Sequence, residues 1–410
     1  MKYLFVVNDA GSRENANLDI ALSICREIEK KNEVLLFSLN DYVTQRTFFF
    51  SGFWTYAYGP SSKTAEIIEK CKKERSISTI IHAISSFAGM GGILRVVVRK
   101  VTGERRVGII AHFAAGKVKK ICKRMDIDMV IGVCFPVTSI HILERLTNTN
   151  AMLIQLDPYH SNVTKKASLL AWRLKHELGA HDNAQRIFMT KLICEDYGNS
   201  PLSKYRSKWR TIEFPGIRQH DPSSQSELIK FPVGAINLVY CGTLDVEYRD
   251  PTYAINLLSN LGDKFRLHFV GRDCKKVVES LTGIDKSNIA TYDAVSNDEI
   301  YKVMNGADVL VNIGNKMTNQ MPSKIIDYMS TGKPILNIAK DRQCCTLAYT
   351  ERYPACLDVI ESEGISPSVV SATEAFCIRN RGHVIPFHEV ERIFPECTPS
   401  HVAGIIEGTN

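Results

Sequence analysis

Twice along this chain, short apolar runs alternate with amphipathic stretches of helical period, and this alternation limits the fold more than any single residue does. In the first half the runs cover residues 3–8, 34–38, 79–83, 129–134, 152–155 and 186–190. In the second they cover 236–241, 265–270, 288–292, 308–313, 334–338 and 356–360. Helical patterns fall between them, as over 18–30 and 139–146. Such alternation predicts parallel sheets with helices on both faces, because a continuous apolar strand must be covered twice. A chain of 410 residues exceeds one ordinary hydrophobic core, so two doubly wound α/β domains are expected. The polar, turn-rich stretch Asp221-Pro-Ser-Ser-Gln-Ser226 is the linker candidate, dividing 1–222 from 223–385. Two such domains facing each other create a cleft, with ligands at the C-terminal ends of the strands.

Several classes are excluded. No run of 18 apolar residues occurs, so no membrane span is expected. The start, Met1-Lys-Tyr-Leu-Phe-Val-Val-Asn8, is too short an apolar stretch for a signal peptide and reads as a first buried strand. The twelve cysteines are scattered, with no Cys-x-x-Cys or Cys/His cluster, so neither a zinc site nor a disulfide framework is expected. Those in apolar strands, Cys134 and Cys241, read as small buried hydrophobes in a cytoplasmic protein. The turn after the first strand, Asn8-Asp9-Ala-Gly11-Ser, has one glycine and is not a dinucleotide fingerprint. No P-loop motif occurs either.

The densest chemistry lies in Asn319-Gln-Met-Pro322-Ser323-Lys324-Ile-Ile-Asp327-Tyr-Met-Ser-Thr-Gly332-Lys-Pro. Pro322 suits the first helical position, and Gly332 suits the helix end. The first-turn N–H groups, Ser323 among them, would face a phosphate, with Lys324 adding charge. Asp327 shares a face with Lys324 and could accept from two sugar hydroxyls. Phosphate plus vicinal diol outlines a nucleotide. The alternative is an ordinary surface ion pair three residues apart.

Further candidates sit at other strand ends. Gly242 permits close backbone approach, with Thr243 beside it, and Gly271 does the same after the next strand. Arg249 offers a planar donor fork suited to phosphate, the alternative being a rim arginine paired with Asp250 or Glu247. Pro251 reads as another first helical position. Tyr292 could stack on a base, although a core tyrosine is the commoner case. Asp157 and His160 end a strand of the first half; Asp157 could orient an acceptor hydroxyl, or simply cap the turn before Pro158. His82 and His112 read as structural.

The net charge of +7 is concentrated. Arg95, Arg99, Lys100, Arg105, Arg106, Lys117, Lys119, Lys120, Lys123 and Arg124 are opposed only by Glu104. Apolar residues interleave, so this segment could lie on an anionic membrane surface or be a solvated face. No nucleic-acid motif accompanies it, and nucleic acid is not expected as a partner.

The order Gly242-Thr243…Arg249-Asp-Pro, His-Phe-Val-Gly271, Gly-Ala-Asp308-Val-Leu-Val-Asn-Ile-Gly314 and Pro322-Ser-Lys324-Ile-Ile-Asp327 resembles the donor-binding half of GT-B glycosyltransferases of the family 4 type. The resemblance is specific over about 236–338 and loose toward the C-terminus, where residues 386–410 resemble a closing helix that returns to the first domain. It implies two facing Rossmann-like domains and transfer of a sugar from a nucleoside-diphosphate sugar to a saccharide acceptor. It also implies retention and no metal or cofactor. Arg249 and Lys324 would hold the diphosphate and Asp327 the ribose. The family often has two glutamates eight residues apart; here those positions are Asn319 and Asp327. A membrane-face role on a lipid-linked saccharide, in surface polysaccharide assembly, follows from family habit and the basic segment. The rivals are a nucleotide-sugar 2-epimerase on the same fold and a non-catalytic GT-B partner subunit.

Overall fold

Two sheets carry the chain. A computed structural model describes residues 1–8, 16–39, 46–58, 106–134, 137–161, 167–221, 224–316 and 323–409. Two compact units result, one of Met1–Glu213 with Ala403–Asn410, the other of Phe214–Val402. The expected strand at 79–83, His82, Arg95, Arg99, Lys100, Arg105, Asn319 and Pro322 lie outside the described residues.

The first unit holds eight strands: β1 (Lys2–Asn8), β2 (Glu33–Leu39), β3 (Arg46–Phe50), β4 (Phe53–Tyr58), β5 (Met129–Cys134), β6 (Ala151–Gln155), β7 (Arg186–Met189) and β8 (Trp209–Thr211). Their order is β3-β4-β2-β1-β5-β6-β7-β8. All neighbours are parallel except β3 and β4, which form an antiparallel hairpin at one edge. Its turn residues Ser51 and Gly52 both have positive φ, 50° and 95°, the backbone a two-residue hairpin requires. Neither this hairpin nor the three-residue β8 was expected from the sequence pattern. Central strands are buried throughout: every residue of β5 and of β6, the polar Gln155 included, is buried.

Helix Arg106–Met125 lies against this sheet with Ala111, Ala114, Ala115, Val118 and Ile121 turned into the core. The expectation that its apolar residues are available to a membrane is corrected for Val118 and Ile121, which core packing uses. Lys117, Lys119, Lys120, Lys123 and Arg124 are exposed, with Phe113 beside them. Among the described residues, no helix is long and apolar enough to cross a membrane.

A buried carboxylate ties β6 to helix Ala167–Asn183. Glu177 is fully buried and accepts from His160 Nδ1 (2.7 Å), the His160 backbone N–H (3.1 Å), Gln155 and the Tyr197 hydroxyl. Burial pushes its carboxyl up, but these donors and the nearby imidazoles outweigh burial and hold it below its ordinary value. His160 is thereby committed to the scaffold.

The second unit holds six parallel strands: β9 (Ile236–Cys241), β10 (Phe265–Val270), β11 (Ile289–Tyr292), β12 (Val309–Ile313), β13 (Ile335–Ala339) and β14 (Cys356–Ile360). Their order is β11-β10-β9-β12-β13-β14. The chain starts at β9, winds outward through β10 and β11, then returns to β12 on the other side. The direction of winding therefore reverses between β9 and β12, and such a switch point is where a doubly wound sheet carries its ligand crevice. The stretch at 221–226 belongs to this unit, where Asn305 donates to the carbonyls of Asp221 (2.8 Å) and Ser224 (3.1 Å). Cys134 and Cys241 are buried, and no disulfide occurs among the described cysteines.

Candidate active site

The crevice at the ends of β9 and β12 is built from main chain first. Gly271 ends β10 with φ +145°, and a Cβ there would stand 2.0 Å from the carbonyl oxygen of Gly242. Only glycine lets these two strand ends approach so closely. Gly242 continues the ladder by donating to Val270 O at 2.9 Å, and Thr243 follows, exposed.

The loop after β9 then folds back on itself. Lys316, just past β12, fastens it: the backbone N–H donates to Tyr248 O (2.9 Å) and the ammonium to Val246 O (2.6 Å). Arg249 is held at the same place. Its Nε donates to Asn315 Oδ1 (2.9 Å), and Nη1 to the Tyr240 hydroxyl (3.3 Å) and Thr243 O (3.4 Å). Tyr240 comes from β9 and Asn315 from just beyond β12, so the guanidinium bridges the two strand ends of the switch point. The alternative of a rim arginine paired with Asp250 or Glu247 is not what occurs. Asp250 instead accepts from Thr252 (2.9 and 2.6 Å) and lies 3.9 Å from Lys316. Among the described residues no carboxylate forms an ion pair with Arg249. A fixed cation whose hydrogen-bond partners are neutral keeps its charge for an incoming anion.

Helix Lys324–Ser330 is docked onto the same strand end. The buried Tyr328 hydroxyl accepts from Cys241 N (2.8 Å) and donates to Cys241 O (3.1 Å). Lys324, one turn earlier, is near enough for its charge to act on Cys241, although burial dominates and pushes that thiol up to about 12. Ser323 is the N-cap residue, so this helix starts two residues later than expected, and Pro251 is likewise the N-cap, not the first helical residue, of helix Thr252–Ser259. Gly332 ends the first helix with φ +73°, where a Cβ would stand 2.1 Å from Ile385 O.

Asp327 faces Lys324 as the spacing predicts, with Oδ2 3.4 Å from the ammonium. It is also only 6% exposed. Oδ1 accepts from the Tyr301 hydroxyl (3.3 Å) and lies 3.9 Å from Arg218, which itself donates to Tyr301 (2.9 Å). His220 stacks on Tyr301 at 3.4 Å between ring centroids, and burial holds its imidazole down to about 4. Asp327 is thus a hub that fixes Lys324, Arg218 and Tyr301 together.

The expected site residues therefore divide. Gly242, Thr243, Arg249, Gly271, Ser323 and Lys324 gather around the ends of β9, β10 and β12. Tyr292, at the end of β11, adjoins them through its main chain, its carbonyl accepting from the Gly271 N–H at 3.1 Å. Its half-buried ring stacks on His268 at 5.9 Å between centroids, and its hydroxyl lies 3.3 Å from His268 Nδ1. Asp157 stands half-buried two residues beyond β6, in the first unit. Asn315, Tyr240, Tyr328, Arg218 and Tyr301 were not expected. Only Asn315, immediately after the strand-ending Gly314, carried a local signal.

No protein-family model matches the sequence, and no curated protein does. Solved structures do match its fold. An α,α-trehalose-6-phosphate synthase from Burkholderia multivorans superposes with a TM-score of 0.58 at 9% identity, over 100% of this chain and 98% of that one. The N-terminal domain of a Candida albicans trehalose-6-phosphate phosphatase gives 0.56 at 11% identity, over 100% and 96%. A UDP-forming synthase from Burkholderia xenovorans, in complex with glucose-6-phosphate, gives 0.55 at 8% identity, over 99% of each chain. The fold is GT-B. At these identities the likeness is one of GT-B fold and does not reach family 4 or any other family. Among the described residues of this GT-B chain, metal-ligating side chains converge only in the first unit, at His141, Glu144 and His176.

Proposed function

We propose that this chain is a glycosyltransferase that takes its sugar from a nucleoside-diphosphate sugar. The observation that carries the proposal is Arg249, a cation with neutral hydrogen-bond partners held across the topological switch point of the second sheet. Switch points in open α/β sheets are where ligands bind. The fold likeness to a UDP-forming synthase supports the same reading.

Sugar transfer leaves negative charge on the departing diphosphate. Arg249 and Lys324 stabilise that charge with groups already in place, so little reorganisation accompanies the reaction. The N–H groups around Ser323 add to the same field. Gly242 and Gly271 let the phosphates approach the backbone, with Thr243 beside them. Asp327, with Lys324 fixed to it, takes the ribose hydroxyls through its remaining lone pairs. The acceptor is a saccharide, bound by the first unit, with Asp157 orienting its hydroxyl. Transfer is retaining and needs no metal at the diphosphate, because two protein cations are present. The exposed basic face of helix Arg106–Met125 supports an acceptor at an anionic membrane surface, as in surface polysaccharide assembly.

Incubation of the chain with UDP-, GDP-, ADP- and TDP-sugars tests the reaction. Release of one nucleoside diphosphate, abolished in Arg249→Ala, is the expected result. Release that survives in Arg249→Ala would remove the proposal's support.

A further inference from the structure

We propose that His141, Glu144 and His176 form a binding site for a divalent transition-metal ion, with zinc the best match to the ligand set. The three side chains come from two helices of the first unit, and their candidate ligand atoms all lie within 4.8 Å of one another. His141 and Glu144 are one turn apart at the end of helix Thr138–Leu143, and His176 projects from helix Ala167–Asn183.

The two helices are shaped to meet here. Gly179 sits inside the second helix, where glycine costs about 1 kcal/mol relative to alanine. A Cβ at Gly179 would stand 2.6 Å from Glu144 Cγ, so its absence makes room for the carboxylate. Asn183 then donates from Nδ2 to the carbonyls of Leu143 (3.0 Å) and Glu144 (2.7 Å), closing the first helix against the second.

His141 is the observation that points to a ligand. Its ring is fully buried, and among the described residues its Nδ1 has no hydrogen-bond partner. Leaving such an atom unpaired costs about 1–3 kcal/mol. Nε2 lies 2.9 Å from the Tyr159 hydroxyl. With Nε2–H donating to Tyr159, the Nδ1 lone pair faces Glu144 Oε2 at 4.0 Å. This is how ligating histidines are usually held, one nitrogen on the ion and the other donating outward. His176 Nδ1 lies 2.7 Å from the same oxygen, and Trp172 packs on both rings at 5.0 and 4.6 Å.

A tetrahedral ion with bonds of about 2.0–2.2 Å sets its ligand atoms about 3.3 Å apart, so the 4.0 Å gap closes by about 0.7 Å, the 2.7 Å contact opens by about 0.6 Å, and the two imidazoles, within 4.8 Å of each other, approach by at most about 1.5 Å. Two imidazoles and one carboxylate suit zinc and its neighbours, not magnesium or calcium, which want oxygen. Glu144 and His176 keep 20% and 12% of their side chains exposed, which opens a route for the ion. Arg145 competes, with Nη1 2.6 Å from Glu144 Oε2 and 2.7 Å from His141 O. The ion must displace it from Oε2 or share the carboxylate through Oε1.

Cobalt(II) titration of the full chain tests this, because cobalt reports its ligands by colour. The expected result is one ion per chain with tetrahedral visible bands, no thiolate charge-transfer band in the near ultraviolet, and displacement by zinc. His176→Gln and Glu144→Gln, both at partly exposed positions, should each weaken binding at least about 100-fold while leaving the metal-free melt in place. No visible band, a thiolate band from the cysteines, or binding undiminished in both variants would overturn the proposal. Should either variant fail to fold, the parent spectrum still decides between nitrogen–oxygen ligation and none.

Discussion

The carbonyl oxygen of Gly242 occupies the place a Cβ on Gly271 would need, 2.0 Å away. The ends of β9 and β10 therefore meet in direct backbone contact. Gly271→Ala should destabilise the second unit by about 3 kcal/mol, through both the clash and the positive φ. Gly234 also has positive φ, +87°, but open space around it. Gly234→Ala should cost only about 1–2 kcal/mol. Urea denaturation of the two variants checks the difference, and equal costs would mean that the close approach is not what matters.

Arg249 is predicted to act through its fork as well as its charge. Arg249→Ala should lower turnover of the nucleotide sugar about 10²–10³-fold. Arg249→Lys keeps the charge but cannot bond both Asn315 and Tyr240 in the same way, so it should recover only part of the loss. Steady-state kinetics of both variants provides the check; a lysine variant equal to the parent would reduce the role to charge alone.

The sheet cores were legible because a parallel strand buried on both faces is a continuous apolar run. β5, β9, β10 and β14 begin and end where the pattern puts them. The β3–β4 hairpin was missed although Phe48-Phe49-Phe50-Ser51-Gly52-Phe53 holds a two-residue turn, because its strands sit at an edge outside the strand–helix rhythm. The Lys324–Asp327 pair was legible from spacing on one helix. Arg218 and Tyr301 were not, since they reach Asp327 from other parts of the chain and only packing brings them there. The same holds for His176, which meets Glu144 from 32 residues away. A search for cysteine clusters passes over a site assembled in that way.

His268 makes the second unit sensitive to acid. Burial, with Arg266 nearby, holds its imidazole down to about 4. The unfolded chain takes up the proton near pH 6.5, so the contribution is complete above that pH and is lost as pH falls toward 4. The loss by pH 4.5 is on the order of 2 kcal/mol. His268→Gln should shrink the difference in stability between pH 7 and pH 4.5 by about that amount, and an unchanged difference would contradict the assignment.

Lys119, Lys120 and Lys123 are exposed on one helix whose apolar face is already used by the core. Binding to anionic vesicles should therefore be electrostatic, falling with added salt. Replacing the three with glutamine should weaken it by about 1 kcal/mol per residue. Sedimentation with vesicles of graded acidic-lipid content is the check; binding indifferent to both lipid charge and salt would contradict this account.

The central claim is that the β9–β12 crevice binds a nucleoside diphosphate. Thermal melts of the parent, Arg249→Ala and Lys324→Ala against UDP, GDP, ADP, TDP and CMP test it most directly. A ligand at 100 times its dissociation constant adds about 2.7 kcal/mol to stability. The account predicts that one diphosphate raises the parent's melting temperature, while each variant, measured against its own unliganded melt, loses that rise. A parent that responds to no nucleotide, or variants that respond as the parent does, would contradict it.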